Sequence, residues 1–406
     1  MKLASESIVG VVSTMFGLGA FITSIISGIA SDRIASRKIP MIIGAVGYAL
    51  SGVILFFASK LWHVLTYRLL NGLASGFLYP IGMSTIGDVY PSKLLGFQMA
   101  LLNSFNSIGY TVGPVLGGAL YDSVGVHGVS AVIIVFGSVL AVVVALAMRE
   151  PLVLHKEIVA RNDNVEDTIP EDTVLDEKGP VIKLRPASSP RREMSLGKLV
   201  MQWQVLSASL TTLAMGMLIG SLESIMPIYS KDVFGMSASQ IGLLFVINGS
   251  VAIVLSVPMG WTVDWMLRRF GEDIRPFIVL SGLALTSGSV LLMGFCTTFT
   301  MVLGANTWLA IVILIVNIPV MSSFGDFVNS LGLNSMAQSY GIYNAFWALA
   351  STIAPPIATT LYTRIGYRST VAGLLTGLCI VCSVLIMAEP LWRLCKRAMR
   401  TVVERG

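Results

Sequence analysis

The chain has 406 residues, 54% of them hydrophobic and 12% charged, with a formal net charge of +5 and a mean hydropathy of +0.79. Soluble domains carry about 25% charged residues, so this composition excludes a water-soluble enzyme domain or a nucleic-acid binder. It points to an all-α protein that crosses the bilayer several times.

The first apolar run, residues 7–30, is long enough to span, since about 20 residues are required. No basic stretch or small-residue cleavage site marks it as a removable signal. Further runs follow at 39–58, 62–88, 97–121 and 128–148, and then at 203–228, 238–263, 275–297, 300–326, 338–362 and 369–388. That makes eleven spans, five before a polar interval and six after it. The expected organisation is a helical half over 1–148, a cytoplasmic disordered linker over 149–202, a second half over 203–390 and a basic cytoplasmic tail over 391–406. The interval is poor in apolar residues and rich in mixed charge and proline, the composition of disordered linkers.

Alternating the loops between two sides puts 21 of the 27 Lys and Arg residues on one side, 5 on the other and Arg68 inside a span. Short cytoplasmic loops retain basic residues, so the richer side is assigned to the cytosol. The histidines are scattered, and the four cysteines lie in or beside apolar segments. No metal, cofactor, nucleophile or nucleotide motif is visible, and neither an enzyme nor a cofactor is expected.

The run SIGYTVGPVLGGALYDSVG, residues 107–125, holds Gly109, Gly113, Gly117 and Gly118 around Pro114. Four-residue spacing places glycines on one face of a helix, and small residues let helices approach closely within membranes. This face is expected to pack against a neighbour, with Pro114 bending the helix.

The two halves repeat. Asn103–Gly125 overlays Asn344–Gly366 at an offset of 241, with Asn103/Asn344, Phe105/Phe346, Pro114/Pro355 and Gly125/Gly366 identical. Gly28 and Asp32, followed by Arg37, parallel Gly260 and Asp264, followed by Arg268, at an offset of 232. Two similar helical halves that rock about a central site give alternating access.

On these residues the chain resembles the major facilitator superfamily along essentially its whole length. GIASDRIASRK looks like that family's loop between helices two and three. Gly28, Asp32, Arg33 and Arg37 match it, while Ala35 and Ser36 replace the usual glycine and arginine. The complete G-x-x-x-G-P-x-x-G-G pattern resembles the helix-five motif of twelve-span drug–proton antiporters. LESIMPIYS around Glu223 and SYGIYNAFW around Tyr343 are similar, more weakly, to the vesicular amine transporters. That branch's acid in helix ten aligns with Asn329, one turn from Asp326, and its acid in helix eleven aligns with Ala348. By the same comparison residues 7–30 correspond to family helix two, and family helix one is absent.

The resemblance implies a proton-coupled antiporter that moves drugs or organic cations out of the cytosol. The alternatives are a uniporter or symporter for another small solute, or a non-transporting remnant or receptor. It implies a lipid-embedded monomer in the plasma membrane or a vacuolar or vesicular membrane, with protons and a small molecule as partners and no nucleic acid. Asp32 then acts as a gate latch with Arg33 or Arg37, and Asp264 with Arg268 as its copy. Arg68 reads either as a proton or anion contact or as a residue reaching for the interface. Glu223 and Asp326 are the acids able to exchange a proton for a cationic substrate, and either could instead sit at a membrane edge. Asn103, Asn106 and Tyr110 form one polar face, and Tyr340, Asn344 and Trp347 another. Both are expected to line a shared cavity, with helix packing as the alternative.

Overall fold

A computed structural model of the protein describes residues 2–90, 92–150, 194–236, 238–271, 274–331, 333 and 335–384. The first half contains α1 (Lys2–Ile34), α2 (Lys38–Phe56), α3 (Leu61–Val89), α4 (Ser92–Val124) and α5 (Val126–Ala147). A five-residue helix α6 (Leu196–Val200) precedes the second half. That half contains α7 (Trp203–Phe234), α8 (Ala238–Phe270), α9 (Arg275–Met293), α10 (Phe299–Leu331) and α11 (Met336–Arg368). It ends with α12, residues 369–384, whose first turns, Ser369–Leu375, are π-helical.

The protein is therefore all-α, with eleven long helices among the described residues. Eight helical stretches among the described residues are long and apolar enough to cross a membrane, one of them passing from α11 across the kink at Gly366 into α12. Several helices outrun their apolar segments: α4 covers Ser92–Val124 where hydropathy marks 97–121. Apolarity follows contact with hydrocarbon, whereas the helix continues into the polar ends as long as its backbone hydrogen bonds do. The 33 residues of α4 span about 50 Å at 1.5 Å per residue. That exceeds the bilayer core of about 30 Å.

Most of the expected linker, 151–193, and the expected basic tail, 391–406, lie outside the described residues. The described remainder of the linker is not featureless, because Leu199 of α6 is completely buried.

The repeat read from the sequence recurs in the helix packing. Within the first half α1 packs on α3, and α2 on α3 and α5; within the second, α8 packs on α10, and α9 on α10 and on the first turns of α12. The halves meet through α1 on α11 and α4 on α8, two contacts that exchange under the repeat. Gly125 and Gly366, identical in the repeat, adopt φ of 73° and 77°, the first at the turn after α4 and the second at a kink near the end of α11. Only glycine takes this backbone region freely, which explains the shared residue.

The end of the bundle carrying the α1–α2 and α8–α9 junctions, rich in Arg and Lys, is called here the basic end. A core there draws on both halves: Met83 from α3, Leu95 and Met99 from α4, Leu199 from α6, Phe324 from α10 and Met336 from α11 are buried together. A second core, with Leu218, Ile225, Val290 and Leu309, comes wholly from the second half and lies toward the opposite, far end. The halves are thus closed against each other at the basic end.

Candidate functional site: a gated cavity between two helical halves

At the basic end α11 begins at Met336, and the first backbone N–H groups of a helix have no partner within it. Asp32, at the end of α1, supplies one. Its carboxylate accepts hydrogen bonds from the N–H of Ala337 at 3.2 Å and of Gln338 at 2.8 Å. A carboxylate at a helix N-terminus is also favoured by the helix dipole. Gly28, one turn earlier, makes this approach possible, because a Cβ there would lie 2.6 Å from the Ala337 carbonyl oxygen. Arg37 bridges Asp32 and Asp88, with nitrogen–oxygen distances of 2.7 Å to each. Burial opposes the charge of Arg37, but the Asp88 and Asp32 carboxylates outweigh it and hold its pKa above the usual arginine range. Glu150, after α5, accepts from the Ser36 hydroxyl at 2.5 Å and from the N–H groups of Arg37 and Lys38 at 3.0 and 3.1 Å. It thereby caps the start of α2. Arg33 is exposed.

The second half builds the same device. Asp264 is buried on α8 and accepts from the Phe97 N–H of α4 at 2.8 Å. Gly260 lies against the backbone of Gly96 and Phe97. Arg268 stands one turn beyond Asp264, within its electrostatic reach. Arg275 pairs with Asp326, as Arg37 pairs with Asp88, both residues shifted by 238 positions. Asp326 is therefore part of a buried ion pair at the basic end, with Asn329 on the next turn of α10.

Two amide–hydroxyl bonds join the halves deeper in the bundle. Asn344 of α11 donates to Ser24 of α1 at 2.7 Å, and Asn103 of α4 donates to Ser256 of α8 at 2.9 Å. The asparagines are a repeat pair, and so are the serines. Of the two readings of these polar faces, Asn103 and Asn344 occupy the packing one. Tyr340 is fully buried beside Phe324, and Trp347 and Asn106 are half-buried.

The glycine face of α4 is a correction to the expected packing. A Cβ at Gly109, Gly113, Gly117 or Gly118 would meet nothing within 4 Å. The repeat shows why. The matching positions on α11, Ala350, Ala354 and Ala358, are buried, and the first two receive Gly216 and Gly220 of α7. No described helix takes the place of α7 in the first half. The α4 backbone makes its close contact on another side, where Thr111 meets Gly249 of α8. Of Pro114 the structure fixes only its place inside the continuous helix α4.

Toward the far end lies a cavity, open to its surroundings, between α7, α8 and α10. Its polar groups are the Glu223 carboxylate and the Asn306 amide. The rest is apolar, including Leu222 and Met226 from α7, Phe245 from α8 and Leu309 and Ile313 from α10. Glu223 is exposed to this space, and Tyr110 of α4, also exposed, lies within its electrostatic reach across the divide between the halves. Tyr79 of α3 links Tyr110 to Tyr343 of α11 by similar proximity. No cation pairs with Glu223 among the described residues. Asp326 is twenty residues from Asn306 along α10, about 30 Å at 1.5 Å per residue, so the structure separates the two candidate acids. Arg68 is exposed on α3, its guanidinium 5.6 Å from the Tyr67 ring centre. Sequence patterning gives no sign of Tyr79 or Asn306, polar residues within largely apolar runs.

Comparison with known proteins agrees with this architecture. The sequence model of the Major Facilitator Superfamily matches residues 2–340. The uncharacterized MFS-type transporter C18.02 of Schizosaccharomyces pombe is 22% identical over 397 residues, covering 91% of this chain and 83% of the relative. The multidrug resistance protein MdtG of Escherichia coli O9:H4 is 25% identical over 279 residues, covering 67% of this chain and 58% of that protein. Among solved structures, the human organic anion transporter MFSD10 (TETRAN) superposes with a TM-score of 0.71 at 17% identity, covering 93% of this chain and 83% of that one.

Proposed function

The chain belongs to the Major Facilitator Superfamily and moves small solutes across a membrane, and from that premise we propose that it exchanges protons for organic cations, carrying drugs or amines out of the cytosol. The observation that supports this reading is Glu223: a carboxylate without a cationic partner among the described residues, exposed in a cavity whose other lining is apolar except for Asn306. Such a group binds either a proton or a cationic substrate, and competition between the two for one carboxylate couples their movements. Tyr110 on the opposing half adds an aromatic face, and cation–π attraction contributes about 0.5–2 kcal/mol depending on desolvation. Similarity to the multidrug resistance protein MdtG supports the drug class.

The two latches set the cycle. With Asp32 on the α11 N-terminus and Asp264 on α4, the basic end is shut and the cavity faces the far end. Release of both latches opens the other side. The positive-inside assignment makes the shut side cytosolic, so this is the outward-facing state.

The test is ethidium uptake into proteoliposomes under an imposed pH gradient. Uptake driven by the gradient is expected, with Glu223→Gln abolishing the drive while exchange of ethidium for ethidium persists. Ethidium movement indifferent to the gradient removes the antiport reading. A second reading, organic-anion transport, draws on the exposed Arg68 and on the fold shared with MFSD10. Fluorescein uptake that is lost in Arg68→Gln would favour it instead.

A further inference from the structure

Asn306 presents to the Glu223 cavity a polar group that the protein leaves unused. It is 8% exposed, on a stretch of α10 flanked by apolar residues, and its remaining accessible surface lines the Glu223 cavity. Its side chain makes no hydrogen bond to any described residue. Amides so enclosed are nearly always paired in folded proteins. The amide of Asn306 is therefore open to a ligand.

We infer that Asn306 is the specificity-determining residue of this cavity, pairing with a second hydrogen-bonding group on the substrate while Glu223 holds its charge. The inference rests on the cation reading above and narrows it to a class: protonated amines whose apolar body carries a hydroxyl or comparable group away from the nitrogen. Glu223 belongs to α7 and Asn306 to α10, which pack directly. Packed helices lie about 8–10 Å apart, a distance that a phenethylamine-sized molecule bridges. The apolar wall between the two polar groups, from Leu222, Met226, Phe245 and Leu309, matches an aromatic or aliphatic spacer. A site built to hydrogen-bond a substrate hydroxyl discriminates strongly against the analogue without it, because the analogue leaves the site's own polar group unpaired.

The experiment measures equilibrium binding of two probes, phenethylamine and tyramine, to the purified full chain in detergent without any gradient. The probes differ by one phenolic hydroxyl. The expected result for the natural chain is at least tenfold tighter binding of tyramine. Asn306→Leu removes that preference and leaves phenethylamine within about threefold. Asn306→Gln, which keeps the amide, retains a preference for tyramine, and Glu223→Gln weakens both probes. Equal affinity of the two probes for the natural chain overturns the inference whatever the variants do. So does a tyramine preference undiminished in Asn306→Leu, or no binding of either amine. Gradient-driven ethidium uptake, measured separately, persists if only the inference fails. Tyramine selectivity without gradient-driven uptake would remove the antiport reading and leave the assignment of Asn306 standing.

Discussion

Asp32 shows how much depends on one carboxylate. Its side chain is 3% exposed and is held by Arg37 and by two backbone N–H groups of the opposite half. Removing one partner of a buried ion pair costs about 3–5 kcal/mol, because the other charge is left uncompensated. Asp32→Asn is therefore expected to open the basic end. A cysteine placed at the completely buried Ser27, in a chain cleared of its own cysteines, becomes reactive to an impermeant thiol reagent from that side, and transport falls at least tenfold. Ala35 makes a smaller and opposite point. It is the one non-glycine residue with positive φ, 54°, among the described residues. The left-handed region costs such a residue about 1–2 kcal/mol, partly offset in a glycine variant by greater freedom in the unfolded chain. Ala35→Gly is expected to raise stability by about 0.5–1 kcal/mol, read as a higher thermal unfolding midpoint in detergent. The sequence already marks this position, since the family's loop carries glycine there. The role of Asn306 leaves no such mark: one asparagine among apolar residues looks the same whether or not the protein satisfies its amide.

At the scale of helices, glycine spacing predicts a face but not the neighbour that meets it. Gly113 sits in a four-residue glycine pattern and Gly28 does not, yet a Cβ on Gly28 strikes the α11 backbone and one on Gly113 reaches nothing within 4 Å. Gly113→Ala is expected to be neutral or stabilising by up to about 1 kcal/mol, since alanine is the better helix former. Gly28→Ala must push α1 off α11 and is expected to lower the unfolding midpoint and abolish transport. Thermal unfolding of the two variants side by side checks the contrast, and comparable losses in both would show that the α4 face is covered. The polar stripes on α4 and α11 were legible as stripes, since three- and four-residue spacing fixes a face. Their partners were not, because Ser24 and Ser256 lie on other helices, and only the assembled bundle brings them within 3 Å of Asn344 and Asn103.

Across the whole molecule the repeat was the most readable feature, and it extends further than the matched residues suggested. It relates two carboxylate latches, two Arg–Asp pairs, two Asn–Ser bonds and two left-handed glycines. Duplication makes the basic end close at two equivalent places, so each Asn–Ser bond is expected to contribute similarly. Asn344→Ala and Asn103→Ala should each raise the labelling rate of the cysteine at position 27. The double variant should raise it by close to the product of the two, as independent sites do. A full effect from either single change, with nothing added by the other, would mean that the halves separate through one contact alone.

Glu150 ties the chain's exit from the first half to the same machinery. It is the last described residue before position 194, and it grips the peptide groups of Arg37 and Lys38 directly. The exit from α5 thus lies at the pivot of the shutter rather than at a passive corner. Any displacement of Glu150 is delivered within one residue to the guanidinium that keeps the shutter closed.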